Sequence, residues 1–434
     1  MQEKQLVNIF WFRRDLRITD NKGLYFALKE GVPVLPLFIF DDNILAGLDN
    51  TDKRVDFIYR KVRNLDGQLR KQESGILVKK GEPIEIFRHL FEEYRVAGIY
   101  TNKDYEPYSI NRDSKIKQLA IENNADFKEY NDHLIFVPGE IIKSDGKPYE
   151  VYTPFSKNWL SKLHPDKLEE YRTESHLDNL IKNPSELLIT IEDLGFTSSD
   201  FQFPSSEIPQ ALIQNYDKTR NYPAIEGTTR LGIHLRFGTV SVRECVKIAM
   251  KLNEVWLNEL IRREFFIHIM AFYPYVCDGP FKRQYAKIQW HSDETDFKKW
   301  CIGDTGYPLV DAGMRQLLAE GFIHNRVRMV CGSFLVKHLL IDWRWGEAWF
   351  AKHLLDFELG SNNGNWQWVA GCGCDSAPYF RIFNPELQQQ KFDPNFEYIK
   401  KWVPEYGTIT YTKPIIKNDI ARMRCIKAYK EALA

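Results

Sequence analysis

Neither sign of charge prevails in this chain of 434 residues: Lys+Arg and Asp+Glu both count 59, and the formal net charge is zero. A whole-molecule electrostatic grip on nucleic acid is thereby unsupported, and any phosphate has to be met by a local basic patch. Cysteine is sparse as well. The seven present, an odd number spread from Cys245 to Cys425, make no secreted disulfide framework and fit a reducing compartment. The start, Met1-Gln2-Glu3-Lys4-Gln5, lacks the basic-then-apolar order of a secretory leader, and no apolar run reaches membrane-spanning length. A soluble, cytoplasmic protein with no membrane partner is expected. There is no internal repeat and no low-complexity tract. Nor does a glycine-rich dinucleotide fingerprint follow the first apolar run, which argues against a nicotinamide-dependent redox enzyme.

What the chain does contain divides it. Its length exceeds one ordinary core, so two or three domains are expected. Residues 1–137 alternate short apolar runs with amphipathic stretches, the pattern of a doubly wound α/β domain with a parallel sheet. Val7 to Phe12, Val34 to Phe40 and Gly98 to Thr101 read as strands, although Pro36 weakens the second. Helices are expected near Asn21 to Lys29, behind an Asp20-Asn21 cap, and over Asp52 to Lys71. Residues 138–209, rich in Pro, Ser and charge, read as an inter-domain connector. From 210 to 434 the period becomes helical, giving a larger all-α domain. Tryptophan is concentrated there: of eleven, only Trp11 and Trp159 precede position 250.

Several segments of the helical part carry chemistry. In Asn362-Asn363-Gly364-Asn365-Trp366-Gln367-Trp368, indoles and carboxamides both need partners if buried, so the run suggests a planar ligand with a polar edge. Thr228-Thr229-Arg230-Leu231-Gly232 suits either a phosphate or a plain helix start. Trp256, Glu259 and Arg263 share a helix face, as a pocket wall or as a surface ion pair between Glu259 and Arg263. Arg326 and Arg328 point apart on a helix, so one can reach phosphate and the other an internal carboxylate such as Asp356. Cys372-Gly373-Cys374 has no second cysteine pair at ligand spacing, and no metal is expected.

Taken in order, these segments resemble the photolyase/cryptochrome family over essentially the whole chain. Phe10-Trp11-Phe12-Arg13-Arg14-Asp15-Leu16-Arg17 is similar to the family's opening strand and turn. Thr305-Gly306-Tyr307-Pro308-Leu309-Val310-Asp311-Ala312 and the Asn362 to Trp368 run are highly specific to it. Within the family, His324-Asn325-Arg326-Val327-Arg328-Met329 resembles the class I cyclobutane pyrimidine dimer photolyases.

The resemblance implies light-driven DNA repair by a carbon–carbon lyase, with FAD in the helical domain and damaged DNA as partner of a monomer. It implies that Tyr216, Thr228, Thr229, Arg230, Leu231 and Gly232 face the phosphates and adenosine side of FAD. Arg328, Asp356, Phe357, Glu358 and Asn362 would surround its ring and ribityl portions, with Glu358 standing where an aspartate is usual. Trp366, Trp343 and Trp300 match the family's electron relay. Glu259, Asn325, Met329 and Trp368 match the dimer pocket; Arg220, Arg326, Arg381 and Lys391 match DNA-phosphate contacts. Arg262 stands where class I members present a tryptophan to the flipped dimer, and brings a charge that Glu259 is placed to pair. The α/β domain would be of the antenna type. Glu106 matches a folate-holding position, yet Asp278 replaces the lysine of folate-binding members, leaving methenyltetrahydrofolate, a deazaflavin, another flavin or no antenna open. The rival implied by the same family is a cryptochrome-type photoreceptor without repair activity, which Arg262 favours.

Overall fold

The computed structural model describes residues 4–182 and 189–434; Met1-Gln2-Glu3 of the leader argument and residues 183–188 of the expected connector lie outside the described residues. Two compact units are present, and neither is continuous in sequence. The first comprises 1–137, 163–208 and 231–248, the second 138–162, 209–230 and 249–434. The stretch 138–209, expected as a connector, is therefore shared out between the units. Its first part holds the helix Tyr152–Lys162, which buries Tyr152, Phe155 and Trp159 and so has an apolar face of its own.

In the first unit five parallel strands run in the order β3-β2-β1-β4-β5: β1 Leu6–Phe12, β2 Val34–Asp41, β3 Leu77–Gly81, β4 Arg95–Asn102 and β5 Asp126–Tyr130. Strands β1 and β2 are buried almost throughout, as helices on both faces of a parallel sheet require. Pro36 is tolerated inside β2 because β3 pairs with β2 only from Leu37 onward, so the missing N–H costs no ladder bond on that side. The expected helices form over Lys22–Lys29 and Lys53–Arg70. Asn21 and Asp52 cap them, accepting from the backbone N–H of Leu24 and Arg54 at 3.2 and 2.9 Å. Behind β1 lies a closed ionic network. Asp132, wholly buried, is met by Arg17 and by Arg243 at 2.7 Å, and Arg243 also reaches Asp20 at 2.9 Å.

The second unit is helical, around a core that includes Trp300, Leu317, Phe334, Trp343, Trp366 and Tyr429. Its main elements for function are Glu254–Phe272, Glu294–Ile302, Pro308–Glu320, Asn325–Ser333, Trp343–His353 and Leu359–Ala370. Side-chain caps start most of these: Asn253, Asp293, His324, Asp342 and Glu358 each accept from the first turn. Buried Asp311 is a hub of a different kind. It accepts from Thr305 N–H and O–H, Gly306 N–H and the Tyr411 hydroxyl, between 2.6 and 3.0 Å, tying the 305–308 loop to the 411 region. At Gly346 a Cβ would fall 2.2 Å from the Trp366 ring, so only glycine lets the Trp343–His353 helix approach that indole. Among the described residues no helix is long and apolar enough to cross a membrane.

Candidate functional site

Glu358 fixes the start of the Leu359–Ala370 helix by accepting from the Ser361 N–H and hydroxyl at 3.0 and 2.9 Å. From there the helical period divides the asparagine and tryptophan run. Asn362, Asn365, Trp366 and Trp368 line a cleft together with Asn325, Arg328, Met329, Phe350, Asp356, Phe357 and Glu358. Asn363 and Gln367 do not. Both are buried, and their Nδ2 and Nε2 atoms donate to the Val276 carbonyl at 3.0 and 2.9 Å; Gln367 Oε1 accepts from Phe281 N–H at 2.7 Å. Two of the amides expected to read a ligand edge thus hold a loop instead.

One wall of the cleft is ionic. Arg328 Nη2 donates to both oxygens of Asp356, at 2.9 and 3.1 Å, while its Nε donates to the Ile323 carbonyl at 2.8 Å, which locks the guanidinium plane. The expected pairing of one arginine with Asp356 therefore forms. The facing residues Phe350, Leu354, Phe357 and Trp366 are apolar or aromatic. Such a donor set, a fixed arginine–carboxylate pair plus carboxamides against flat rings, fits a planar heteroaromatic with an imide edge.

Sequence reasoning missed Glu347. It accepts from Asn363 Nδ2 at 3.0 Å through Oε1 and from Asn362 Nδ2 at 3.1 Å through its backbone carbonyl, and burial pushes its carboxyl up to about 7. No motif marks it, because its importance comes only from the packing of two helices.

Beside the cleft lies the local basic patch that a neutral chain needs. His324, buried, is pushed down to about 4, first by burial and then by the fields of Arg326, Arg328, Arg220 and Arg230. Arg326 itself is lowered by burial and by Arg220. Its guanidinium donates to Asn221 Oδ1 at 2.7 Å and covers the Phe392 ring at 4.4 Å, and Lys391 approaches the same ring at 5.3 Å. No carboxylate pairs with Arg326 among the described residues. Arg381 and Lys391 are exposed.

The remaining expected residues fall elsewhere. Glu259 pairs with Arg220 at 2.6 Å, so this carboxylate engages an expected phosphate contact rather than Arg262. The Arg262 guanidinium instead lies over the Tyr152 ring at 3.9 Å, and the Tyr152 hydroxyl donates to the Asn258 carbonyl at 2.8 Å. Burial pushes Tyr216 up to about 12. Arg230, at φ +52°, pairs with Glu320 and Glu226 at 3.2 and 3.3 Å; Thr228 and Thr229 are half-buried beside it, whereas Leu231 and Gly232 belong to the first unit. Glu106, also in the first unit, has its carboxylate taken by Arg14 and Arg236 at 3.2 and 2.7 Å. Cys372 and Cys374 are buried thiols, pushed up to about 12 by desolvation.

Of the expected relay, Trp366 and Trp300 are neighbours, with ring centroids 6.1 Å apart, and Trp343 is buried at the start of its helix. Trp300 has no exposed surface and donates from Nε1 to the Cys331 carbonyl at 3.1 Å. It is therefore no terminus for a relay that has to reach solvent.

Comparison with known proteins agrees with these features. Residues 8–173 match the family model described as DNA photolyase, and 256–413 match the FAD binding domain of DNA photolyase. The chain is 35% identical to the deoxyribodipyrimidine photo-lyase of Synechococcus, over 95% of this chain and 90% of that one, and 35% identical to that of Vibrio cholerae, over 98% and 97%. Among solved structures, an archaeal photolyase from Sulfolobus tokodaii with two FAD molecules superposes with a TM-score of 0.83 at 34% identity, covering 98% of this chain and 100% of that one. By shared sequence and shared architecture, the chain belongs to the photolyase/cryptochrome family.

Proposed function

We propose that this chain repairs DNA with blue light, splitting cyclobutane pyrimidine dimers as a deoxyribodipyrimidine photo-lyase with FAD in the cleft of the helical unit. One observation carries the reading: Asn325, Arg328, Met329, Asp356, Asn362, Trp366 and Trp368 line a single cleft, and four arginines act on the histidine next to it. Reduced FAD supplies a light-excited one-electron donor, and the dimer returns the electron once its ring has opened.

The protein's own residues bind, orient and exclude water. The Arg328–Asp356 pair presents a fixed donor and acceptor to the flavin ring, with Asn362 and Phe357 beside it and Glu358 shaping the helix end. Tyr216, Thr228, Thr229 and Arg230 serve the phosphate and adenosine side. Asn325, Met329, Trp368 and Glu259 receive the flipped dimer, whose unstacking is offset by contact with ring faces. Arg220, Arg326, Arg381 and Lys391 bind the DNA backbone, and Arg326 is the best suited because its charge has no carboxylate partner among the described residues. Trp366, Trp343 and Trp300 would relay electrons toward a bound flavin. The photoreceptor reading leaned on Arg262, whose guanidinium is held over the ring of buried Tyr152 by a cation–π contact. Action as a monomer in a reducing cytoplasm completes the reading and suits the seven free thiols. The test is incubation of the reduced, FAD-loaded protein with a dimer-containing oligonucleotide under blue light. Restored thymines in light and none in the dark are expected; no repair in light would refute the assignment and favour the photoreceptor.

A further inference from the structure

Around Trp300 the aromatic side chains form a second line that leads away from Trp366. Trp300 stacks on Phe297 with centroids 5.9 Å apart and an interplanar angle of 20°. Phe297 meets the Trp345 ring edge-on at 5.1 Å and the Trp349 ring at 6.4 Å. Phe350 reinforces the inner end, stacked on Trp300 at 6.0 Å and edge-on to Trp366 at 5.0 Å. Trp345 and Trp349 are both half-buried, whereas Trp366, Trp300 and Trp343 are buried.

We propose that Trp345 is the solvent-side end of a separate electron-entry branch, Trp366 to Trp300 to Trp345, with the Phe297 ring bridging the last step. The proposal rests on FAD binding in the cleft beside Trp366. Each transfer moves one electron inward. Trp366 gives an electron to light-excited, oxidised FAD, Trp300 refills Trp366, and Trp345 refills Trp300. Trp345 is left one electron short, loses its indole N–H proton to water, and regains an electron and a proton from an external thiol. Phenylalanine is too hard to oxidise to hold the hole itself, so Phe297 serves as the medium through which adjacent indoles couple.

Two features select Trp345 over its neighbour. Its contact with Phe297 is the shorter, and the Trp349 Nε1 is buried with no hydrogen-bond partner among the described residues to take its proton. Trp300 cannot hold the final charge either, since its Nε1 is bonded to the Cys331 carbonyl inside the core and no water reaches it.

The test uses the FAD-loaded protein, with flavin absorbance per chain recorded first for each variant. Transient absorption of the deprotonated tryptophan radical is then compared in Trp343→Phe, in Trp343→Phe/Trp345→Phe, in Trp343→Phe/Trp349→Phe, and in Trp366→Phe as the baseline. A residual long-lived radical is expected in Trp343→Phe. Adding Trp345→Phe should bring it to the Trp366→Phe level, and adding Trp349→Phe should leave it. A Trp343→Phe variant already at baseline, or loss on adding Trp349→Phe instead, overturns the branch. An independent measurement needs no variant: after illumination of the wild-type protein in air, peptide mass spectrometry should find tryptophan oxidation at Trp345 in excess of Trp349 and Trp300. Oxidation absent from Trp345 contradicts the proposal even if a variant misfolds. A wild-type protein that takes up no FAD would fail the functional reading itself, whereas one that takes it up but shows no Trp345-dependent radical in the Trp343→Phe background fails only the branch.

Discussion

Buried and half-buried arginines serve opposite ends in the two units. In the α/β unit Arg13 meets Asp113, Arg14 meets Asp104 and Glu106, and Arg17 and Arg243 share Asp132. Each of these charges is neutralised where it lies. In the helical unit the partners of Arg326 among the described residues are an amide, a thioether and a ring, and Arg220 repels it. Even half-buried, a charge without a carboxylate partner carries a desolvation cost, which a ligand of opposite charge would offset. Net neutrality of the whole chain hides this asymmetry.

The comparison breaks most visibly at Asp132. Replacing it with Asn leaves Arg17 and Arg243 partly unpaired inside the first unit, so a loss on the order of 3 to 5 kcal/mol is expected in urea unfolding. The arginines hold the Asp132 carboxyl well below its ordinary value against the opposing effect of burial. Its folded value being depressed, its contribution is complete above the unfolded carboxylate range of about 4 and is lost as the pH falls below that. A pH series of wild type against Asp132→Asn checks the sign.

Trp366→Phe keeps the bulk that Gly346 admits but removes the oxidisable ring. Photoreduction with external reductant should fall to background, while dimer repair by chemically reduced protein persists; equal photoreduction in variant and wild type would remove Trp366 from the relay. A smaller effect is expected at Glu347. Because burial raises its folded value from 4.5 to about 7, its stabilising contribution is present at low pH and is lost as the pH rises from 4.5 through 7. Glu347→Gln should flatten the stability profile over that window, which thermal melts at several pH values would detect. Smallest is Arg262→Trp. A base-stacking indole is worth on the order of 1 to 3 kcal/mol, offset here by loss of the contact with Tyr152, worth about 0.5 to 1 kcal/mol. A gain in affinity for dimer-containing DNA of no more than about tenfold, measured by titration, should accompany unchanged or weaker binding to undamaged DNA.

Local signals carried much of this structure. The caps Asn21 and Asp52 and the apolar strand runs were legible because each acts on its immediate neighbours. Arg328 with Asp356 was legible as chemistry, since a buried carboxylate needs a donor. The connector was not, because Pro and Ser content masks the face that Tyr152, Phe155 and Trp159 bury. Likewise, composition cannot divide Asn362 from Asn363 or Trp366 from Gln367. Helix rotation and the Val276 carbonyl decide which amide faces the cleft and which holds a loop. Glu259 took Arg220 rather than Arg262, a choice between distant partners that spacing on one helix does not encode.

The contrast between closed and open arginines meets its most direct test at Arg326. Dimer-containing DNA is titrated at several salt concentrations with wild type and with Arg326→Gln, alongside urea unfolding of both. An open charge predicts weaker binding, a salt slope smaller by about one, and undiminished stability. An unchanged slope together with lost stability would show that this arginine is structural, as those of the α/β unit are, and would contradict the account.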